Sequence, residues 1–372
     1  MIYEKTLNWI KIIIISNRFY CMKQGLLFYI FLLVNVICLK AQDPFFSQFY
    51  ANPTYINPAL TGSMAGKYRL LFINRNQSPD NVLKTSSASA DFRFGLKFKS
   101  KISSDRVGAG ILFVSDRNTS NGFSITSGSF SLAYHKILNK NWNEILSAGI
   151  SIGLQQRNTS FDLLNFQDQF NGTSAYSLST AENIPNNNFA YGDYSAGIFY
   201  SIQPEKKLSF YAGIAIHHFN QPEVSFYQNS SSLNTAISAK LPTKYTLHSG
   251  VNISLSRNGV LQWLPGLALM RQGNLWAGNV GNNFRWESFA NRSGAFLVGL
   301  WAKPISNIDE KIIMGSIVSF LGFEFSGYQL GMSMDLGNLT RDYNYTVNKN
   351  AFEISFTFTG DFDEDLIYCP RF

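Results

Sequence analysis

The sequence predicts an all-β fold: a transmembrane antiparallel β-barrel of about 14 strands, preceded by a short periplasmic N-terminal segment. Three features support this prediction. The composition is unusual, apolar and polar residues alternate with a period of two, and long and short loops sort to opposite ends of the strands.

The chain has 372 residues, of which 15% are charged and 15% aromatic, with a mean hydropathy close to zero. A soluble domain with so little charge is poorly solvated, and a helical membrane protein is far more hydrophobic. A membrane barrel satisfies both facts, because only every second strand residue meets lipid. The net charge of +7 is inflated by residues 1–41, which hold Lys5, Lys11, Arg18, Lys23 and Lys40 against Glu4. Without them, 26 basic and 23 acidic residues leave +3. No basic run stands out, which argues against a nucleic-acid partner.

Residues 1–41 have the organisation of a secretory signal peptide. Lys23 supplies the positive start, Leu26 to Leu39 the apolar core, and Ala41 the small residue before a cut ahead of Gln42. Met22 offers a second start for the same signal, and a retained membrane anchor is the alternative. Cleavage after Ala41 removes Cys21 and Cys38 and leaves Cys369 alone, so the expected mature fold has no intramolecular disulfide.

Past the leader, no apolar run reaches the roughly 20 residues that a spanning helix needs. The clearest alternation is at 85–99. There Ala88, Ala90, Phe92, Phe94, Leu96 and Phe98 oppose Ser87, Ser89, Asp91, Arg93, Gly95 and Lys97. Residues 144–157 set Leu146, Ala148, Ile150, Ile152 and Leu154 against Ser147, Gly149, Ser151, Gly153 and Gln155. Phe352, Ile354, Phe356 and Phe358 likewise alternate with Glu353, Ser355 and Thr357. Fourteen such segments are expected, near 66–76, 85–98, 106–115, 124–137, 144–157, 191–203, 207–219, 242–257, 259–271, 274–286, 293–303, 310–320, 322–337 and 350–359. The barrel then occupies 66–359, after a periplasmic segment at 42–65 and before a periplasmic tail at 360–372. That tail carries the acidic run Asp361, Asp363, Glu364 and Asp365.

A soluble sandwich alternates too, so the loops provide a separate test. If the first strand rises from the periplasm, odd-to-even connections lie outside and should be the long ones. The longest, near 158–190, 220–241 and 338–349, follow segments five, seven and thirteen. Tyr134, Tyr194, Tyr200, Tyr245 and Trp263 are candidates for the aromatic girdles at the membrane interfaces.

Motifs for chemistry are sparse. Gly149-Ile150-Ser151-Ile152-Gly153 matches the G-x-S-x-G nucleophile elbow, but it lies within an alternating strand and not at a strand-to-helix turn. His135, His217, His218 and His248 lack metal-site spacing. Adjacent His217 and His218 should point to opposite faces, while His135, His217 and His248 fall on the inner one. No catalytic, metal or cofactor site is expected.

The stretch Gln42-Asp43-Pro44-Phe45-Phe46-Ser47-Gln48-Phe49-Tyr50, followed by Asn52-Pro53, Tyr55-Ile56-Asn57-Pro58-Ala59 and Gly62, resembles the mature N-terminus of the PorP/SprF family. The likeness continues in Ala133-Tyr134-His135, in Tyr211 to Phe219 with Pro222, in Leu241-Pro242-Thr243-Lys244-Tyr245, and in Cys369-Pro370-Arg371-Phe372. The resemblance implies an outer-membrane protein of the type IX secretion system of Bacteroidota. Its implied role is the secretion and surface anchoring of a specific cargo protein, such as a large adhesin with a type B C-terminal domain, in some members for gliding motility. Implied partners are the cargo, periplasmic components of the system and outer-membrane lipid. The alternative is a solute channel, for which the inner face bearing Asp91, Arg93 and Lys97 serves equally well; an outer-membrane hydrolase built on Ser151 ranks third. Phe45, Phe46, Phe49, Tyr50, Tyr55 and Pro58 are the candidate partner-binding residues. They are expected to pack into the lower barrel mouth or against a periplasmic partner, with a plain structural plug as the alternative, and with Pro44, Pro53 and Pro58 limiting backbone freedom.

Overall fold

The fold follows from giving alternating strands a closed path. The computed structural model describes residues 43–77, 82–98, 101–139, 143–161, 164–182, 184–226, 239–287, 294–306, 311–337 and 350–362. Residues 1–42, which include the expected signal peptide at 1–41, the loop at 338–349 and the tail from Asp363 onward, with Glu364, Asp365 and Cys369, lie outside them.

Fourteen antiparallel strands form one closed sheet in which each pairs with its sequence neighbours and β1 closes on β14. They are β1 (Gly66–Gln77), β2 (Leu83–Phe98), β3 (Lys101–Asn118), β4 (Ser124–Asn139), β5 (Glu144–Asn158), β6 (Asn188–Glu205), β7 (Leu208–His217), β8 (Lys244–Ser254), β9 (Leu261–Gln272), β10 (Leu275–Glu287), β11 (Gly294–Ser306), β12 (Ile312–Phe325), β13 (Tyr328–Gly337) and β14 (Ala351–Phe362). The closing pair runs from Gly66 opposite Phe362 to Gln77 opposite Ala351. Closure leaves no unpaired edge, the condition for crossing lipid with strands.

The two faces separate as the alternation predicts. Outward, Ile150 and Leu154 are 54% and 67% exposed, while inward Asp91 and Glu353 are fully buried. Tyr194 and Tyr245 stand on the outer surface near the end with the long connections, and Tyr134, Tyr200 and Trp263 near the other end. In an outer-membrane barrel the long connections face outside. Residues Gly66 and Phe362 therefore mark the periplasmic rim, and Gln77 and Ala351 the extracellular one.

Strand ends shift by a few residues from the sequence expectation, and two of these differences change the reading of a turn or of the tail. The β12–β13 hairpin turns at Ser326–Gly327, where φ is 45° and 87°, and not near residue 321. Two consecutive positive φ values suit the primed turns of tight hairpins. Gly322, the apparent turn residue, lies inside β12, where an added Cβ would come 2.9 Å from the Phe320 ring. Strand β14 also continues to Phe362, so Gly360 and Asp361 belong to the wall and not to the tail.

The larger difference concerns residues 43–65. The segment does not sit beneath the barrel; it runs inside it. Phe49–Ala51 form a 3-10 turn, Pro53–Ile56 one α-helical turn (α1) and Pro58–Leu60 a second 3-10 turn. Pro53 and Pro58 open their turns, where a missing N–H costs nothing, so these prolines start helical turns instead of opposing them.

Lipid contact on one face predicts an asymmetric response to charge. Ile150→Lys, near mid-membrane on β5, should lower stability by about 2–4 kcal/mol, and Ser151→Ala, on the inner face, by less than about 1 kcal/mol. Guanidinium unfolding of the barrel in lipid vesicles measures both, and equal costs would contradict the assignment of faces.

Candidate functional site: the lumen segment

Residues 43–64 run through the lumen, with Asp43 and again Tyr55 and Ile56 near the extracellular ends of β7 and β8 and Gly62 to Met64 toward the periplasmic rim, and they touch all fourteen strands. Their contacts change character along the chain: ionic first, then aromatic, then backbone against small residues.

At the top, Asp43 is held by the extracellular ends of β7, β8 and β9. Lys244 Nζ lies 2.5 Å from its Oδ2, and the Gln272 side chain accepts from the Asp43 N–H at 2.8 Å. His218 donates from Nε2 to Asp43 and from Nδ1 to Asp193, each at 2.7 Å. Only a doubly protonated imidazole donates from both nitrogens to carboxylates. Asp43, Asp193, His218 and Lys244 thus form a balanced quartet. Lys244 and His218 hold the Asp43 carboxyl well below its ordinary range, against the burial that opposes ionisation. The facing carboxylates of Asp43 and Asp193 raise His218 to about 9 despite its burial. His218 was expected to face away from His217, yet both are buried. Its φ of 55°, one residue past β7, breaks the strand alternation and turns its ring inward.

Four residues further on, the segment crosses the β1–β14 closure. Glu353 accepts from the Ser47 and Gln48 N–H groups at 2.7 and 2.9 Å and pairs with Arg75. Arg75 also reaches Asp335 at 2.9 Å, and Lys303 reaches Asp335 at 3.2 Å. The Ser47 hydroxyl donates to Asp335 at 2.8 Å and accepts from Arg75 and Lys303, both at 2.9 Å. The Gln48 amide donates to Ser333 and accepts from Ser355, while Asn279 donates to the carbonyls of Phe46 and Ser47. Strands β1, β10, β11, β13 and β14 thus meet through residues 46–48.

The aromatics come next along the chain. Phe49 and Tyr50 pack with Trp301 and Phe320, at ring separations of 5.4 to 5.7 Å. Phe46 packs edge-on to Tyr55 at 5.6 Å. Tyr55 donates to the Pro44 carbonyl at 2.7 Å, and its ring lies 4.7 Å from Lys244 Nζ. The six candidate residues Phe45, Phe46, Phe49, Tyr50, Tyr55 and Pro58 are therefore all inside the lumen and not at its lower mouth. Their partners are the barrel wall and one another, so an outside partner reaches them only by displacing the segment.

The second half lies against a row of small residues. Gly108, Ala133, Gly149, Gly197 and Ala215 follow one another across β3 to β7 in one line of paired residues. A Cβ on Gly108 would strike the Thr61 carbonyl, and one on Gly149 would come 2.6 Å from the Ala59 nitrogen. Gly149 of the G-x-S-x-G match therefore seats Pro58 and Ala59, and Ser151 stays within β5. The inner-face histidines serve the same segment. His135 donates to the Thr61 carbonyl at 2.8 Å and His217 to that of Ile56 at 3.2 Å, while His248 accepts from Asn57 at 3.2 Å. Asn57 also donates to the Ile198 carbonyl on β6. Near the rim Asp91 binds the Gly62 N–H and pairs with Arg69, both at 2.7 Å, and Arg93 donates to the Met64 carbonyl at 2.5 Å. Sequence reading placed Asp91 and Glu353 in the lumen but missed their partners Arg69 and Arg75. Parity was a weak signal for them, since Arg69 and Arg75 share the inner face of β1 with the apolar Leu71 and Ile73, and Arg75 stands between Asn74 and Asn76. The Lys97 side chain lies outside what the structure describes.

Between Tyr55, Pro58 and the wall of β3 to β6 remains a cavity of about 60 Å³, lined in part by Ser127, Ser129 and Ser151. That is room for a few waters. Among the described residues no group of three His, Cys, Asp or Glu is placed to hold a metal ion.

A closed barrel with an apolar outer band, two aromatic girdles and a lumen filled by its own N-terminal segment defines an outer-membrane β-barrel protein. The family model described as type IX secretion system membrane protein PorP/SprF matches residues 38–358, and the chain belongs to that family. No curated protein matches the chain at a significant level. Solved structures of similar fold include the toluene transporter TodX of P. putida, with a TM-score of 0.48 at 9% identity over 83% of this chain and 94% of that one. The toluene transporter TbuX of Ralstonia pickettii gives 0.43 at 10% identity, over 83% and 93%. The KdgM porin gives 0.36 at 7% identity, over 78% and 99%. At such scores these likenesses carry no argument about function.

Two predictions follow from the contacts. Gly149→Leu should prevent the segment from seating and abolish the heat-modifiable gel mobility of the folded barrel, whereas Gly149→Ala should cost about 1–3 kcal/mol in chemical denaturation. The His218 pKa is raised by folding, so its stabilisation is complete below about 6.5 and is lost as pH rises through about 9. The thermal midpoint of the barrel should fall between pH 6.5 and 9, and His218→Gln should flatten that fall; an unchanged slope would contradict the quartet.

Proposed function

We propose that the protein is a closed docking barrel of the type IX secretion system, supporting the secretion and surface anchoring of a specific cargo protein. The observation that carries this reading is the filled lumen. A segment bonded to all fourteen strands obstructs the path of a polypeptide, and the cavity beside it among the described residues holds only a few waters. The work then falls to the outer wall and the connections above the membrane, which can hold a cargo that crosses elsewhere. The family membership supports this reading over the channel alternative. A large adhesin with a type B C-terminal domain is the cargo the sequence resemblance favours, and gliding motility is the process in which such a display would serve.

The test is gentle detergent extraction of tagged protein from the outer membrane, followed by mass spectrometry of what co-purifies. The expected result is a large secreted protein retained through its C-terminal domain, together with periplasmic components of the system. A barrel recovered alone, even after crosslinking in intact cells, would overturn the proposal.

A further inference from the structure

The longest connection with described structure, between β5 and β6, carries a small fold of its own above the membrane. Residues Gln167–Gln169 form a 3-10 turn, Phe170 bridges to Tyr176, and the Leu178 N–H donates to the Gln169 carbonyl at 3.1 Å. The side chain of Asn171 fastens the tip by accepting from the N–H groups of Thr173, Ser174 and Ala175 at 3.0 to 3.2 Å, with Gly172 at φ 81°. Asp168 fastens the base by accepting from the Thr180 hydroxyl and the Ala181 N–H.

This frame holds three large apolar side chains out in water. Phe170 and Tyr176 face each other across the bridge with ring centroids 5.4 Å apart, and Leu178, two residues beyond Tyr176, shares their face. They are 43%, 52% and 53% exposed, unlike the outward residues of the strands, which lipid covers. A fixed apolar face rimmed by polar groups outside the membrane marks a protein contact.

Charge selects the kind of partner. Residues 159–187 contain Asp162, Asp168 and Glu182 and no lysine or arginine. Such a loop is repelled by the phosphate-bearing surface of an outer leaflet and attracted to a basic protein surface. We propose that the face of Phe170, Tyr176 and Leu178 is the docking knob for the cargo, inserting into an apolar cleft bordered by lysine and arginine side chains. The inference rests on the cargo-holding reading above and names the surface that does the holding.

Two measurements test it, using the protein that co-purifies with the wild-type chain as the probe. With p-benzoylphenylalanine at position 176, illumination of intact cells should crosslink the barrel to that protein. The double substitution Phe170→Ser with Leu178→Ser should lower its amount at the cell surface at least ten-fold, while heat-modifiable mobility of the barrel stays unchanged. Crosslinks only to lipid or to a second copy of this chain would overturn the knob. So would wild-type levels of displayed cargo in the double variant, and either result leaves the cargo-holding reading intact. If nothing co-purifies with the wild-type chain, that reading falls and the knob falls with it.

Discussion

Charges that point into a lumen need partners, and the rest of this structure depends on how they find them. Arg75, Lys303, Asp335 and Glu353 come from four strands and are almost completely buried. Two cations and two anions balance, but balance alone leaves carboxylate oxygens and ammonium protons short of hydrogen bonds. Residues 45–48 supply most of them through the Ser47 and Gln48 N–H groups, the Ser47 hydroxyl and the Phe45 carbonyl. Removing one member of such a buried set costs about 3–5 kcal/mol, because the remaining charge stays behind unpaired. The same contacts bridge β1 to β13 and β14, so the seated segment braces the seam where the barrel closes.

The change of contacts along the chain gives the segment a direction. Its first residues are held by two ionic quartets, the next by rings, and the last by close backbone contact with glycine and alanine on five neighbouring strands. At the bottom it turns through Gly62, with φ at 75°, and continues into β1. A closed wall and a fixed plug together direct attention to the loops and the outer surface as the places where partners act.

Much of this was legible in the sequence. Alternation in 85–99 and 144–157 follows directly from two-sided burial, which is why all fourteen strands could be anticipated and Asp91 and Glu353 assigned to the lumen. The β12–β13 boundary was not, because Gly322 in a strand and Gly327 in a turn look alike until Phe320 shows what the first one accommodates. His218 escaped the parity rule because a positive φ at the strand end turned it inward. The place of residues 43–65 was illegible for a different reason. An apolar, proline-rich segment next to a barrel reads equally well as a plug or as a contact for a partner. What decides between them is long-range: the Gly108–Ala215 row, and the match of Ser47 and Gln48 to charges some 300 residues away in sequence.

The most direct measurement of the central claim is planar-bilayer conductance of the purified wild-type barrel. A lumen occupied from Asp43 to Met64 predicts a quiet baseline, with no steady channel steps at moderate voltage. Stable, ohmic openings of porin size in the unmodified protein would contradict it.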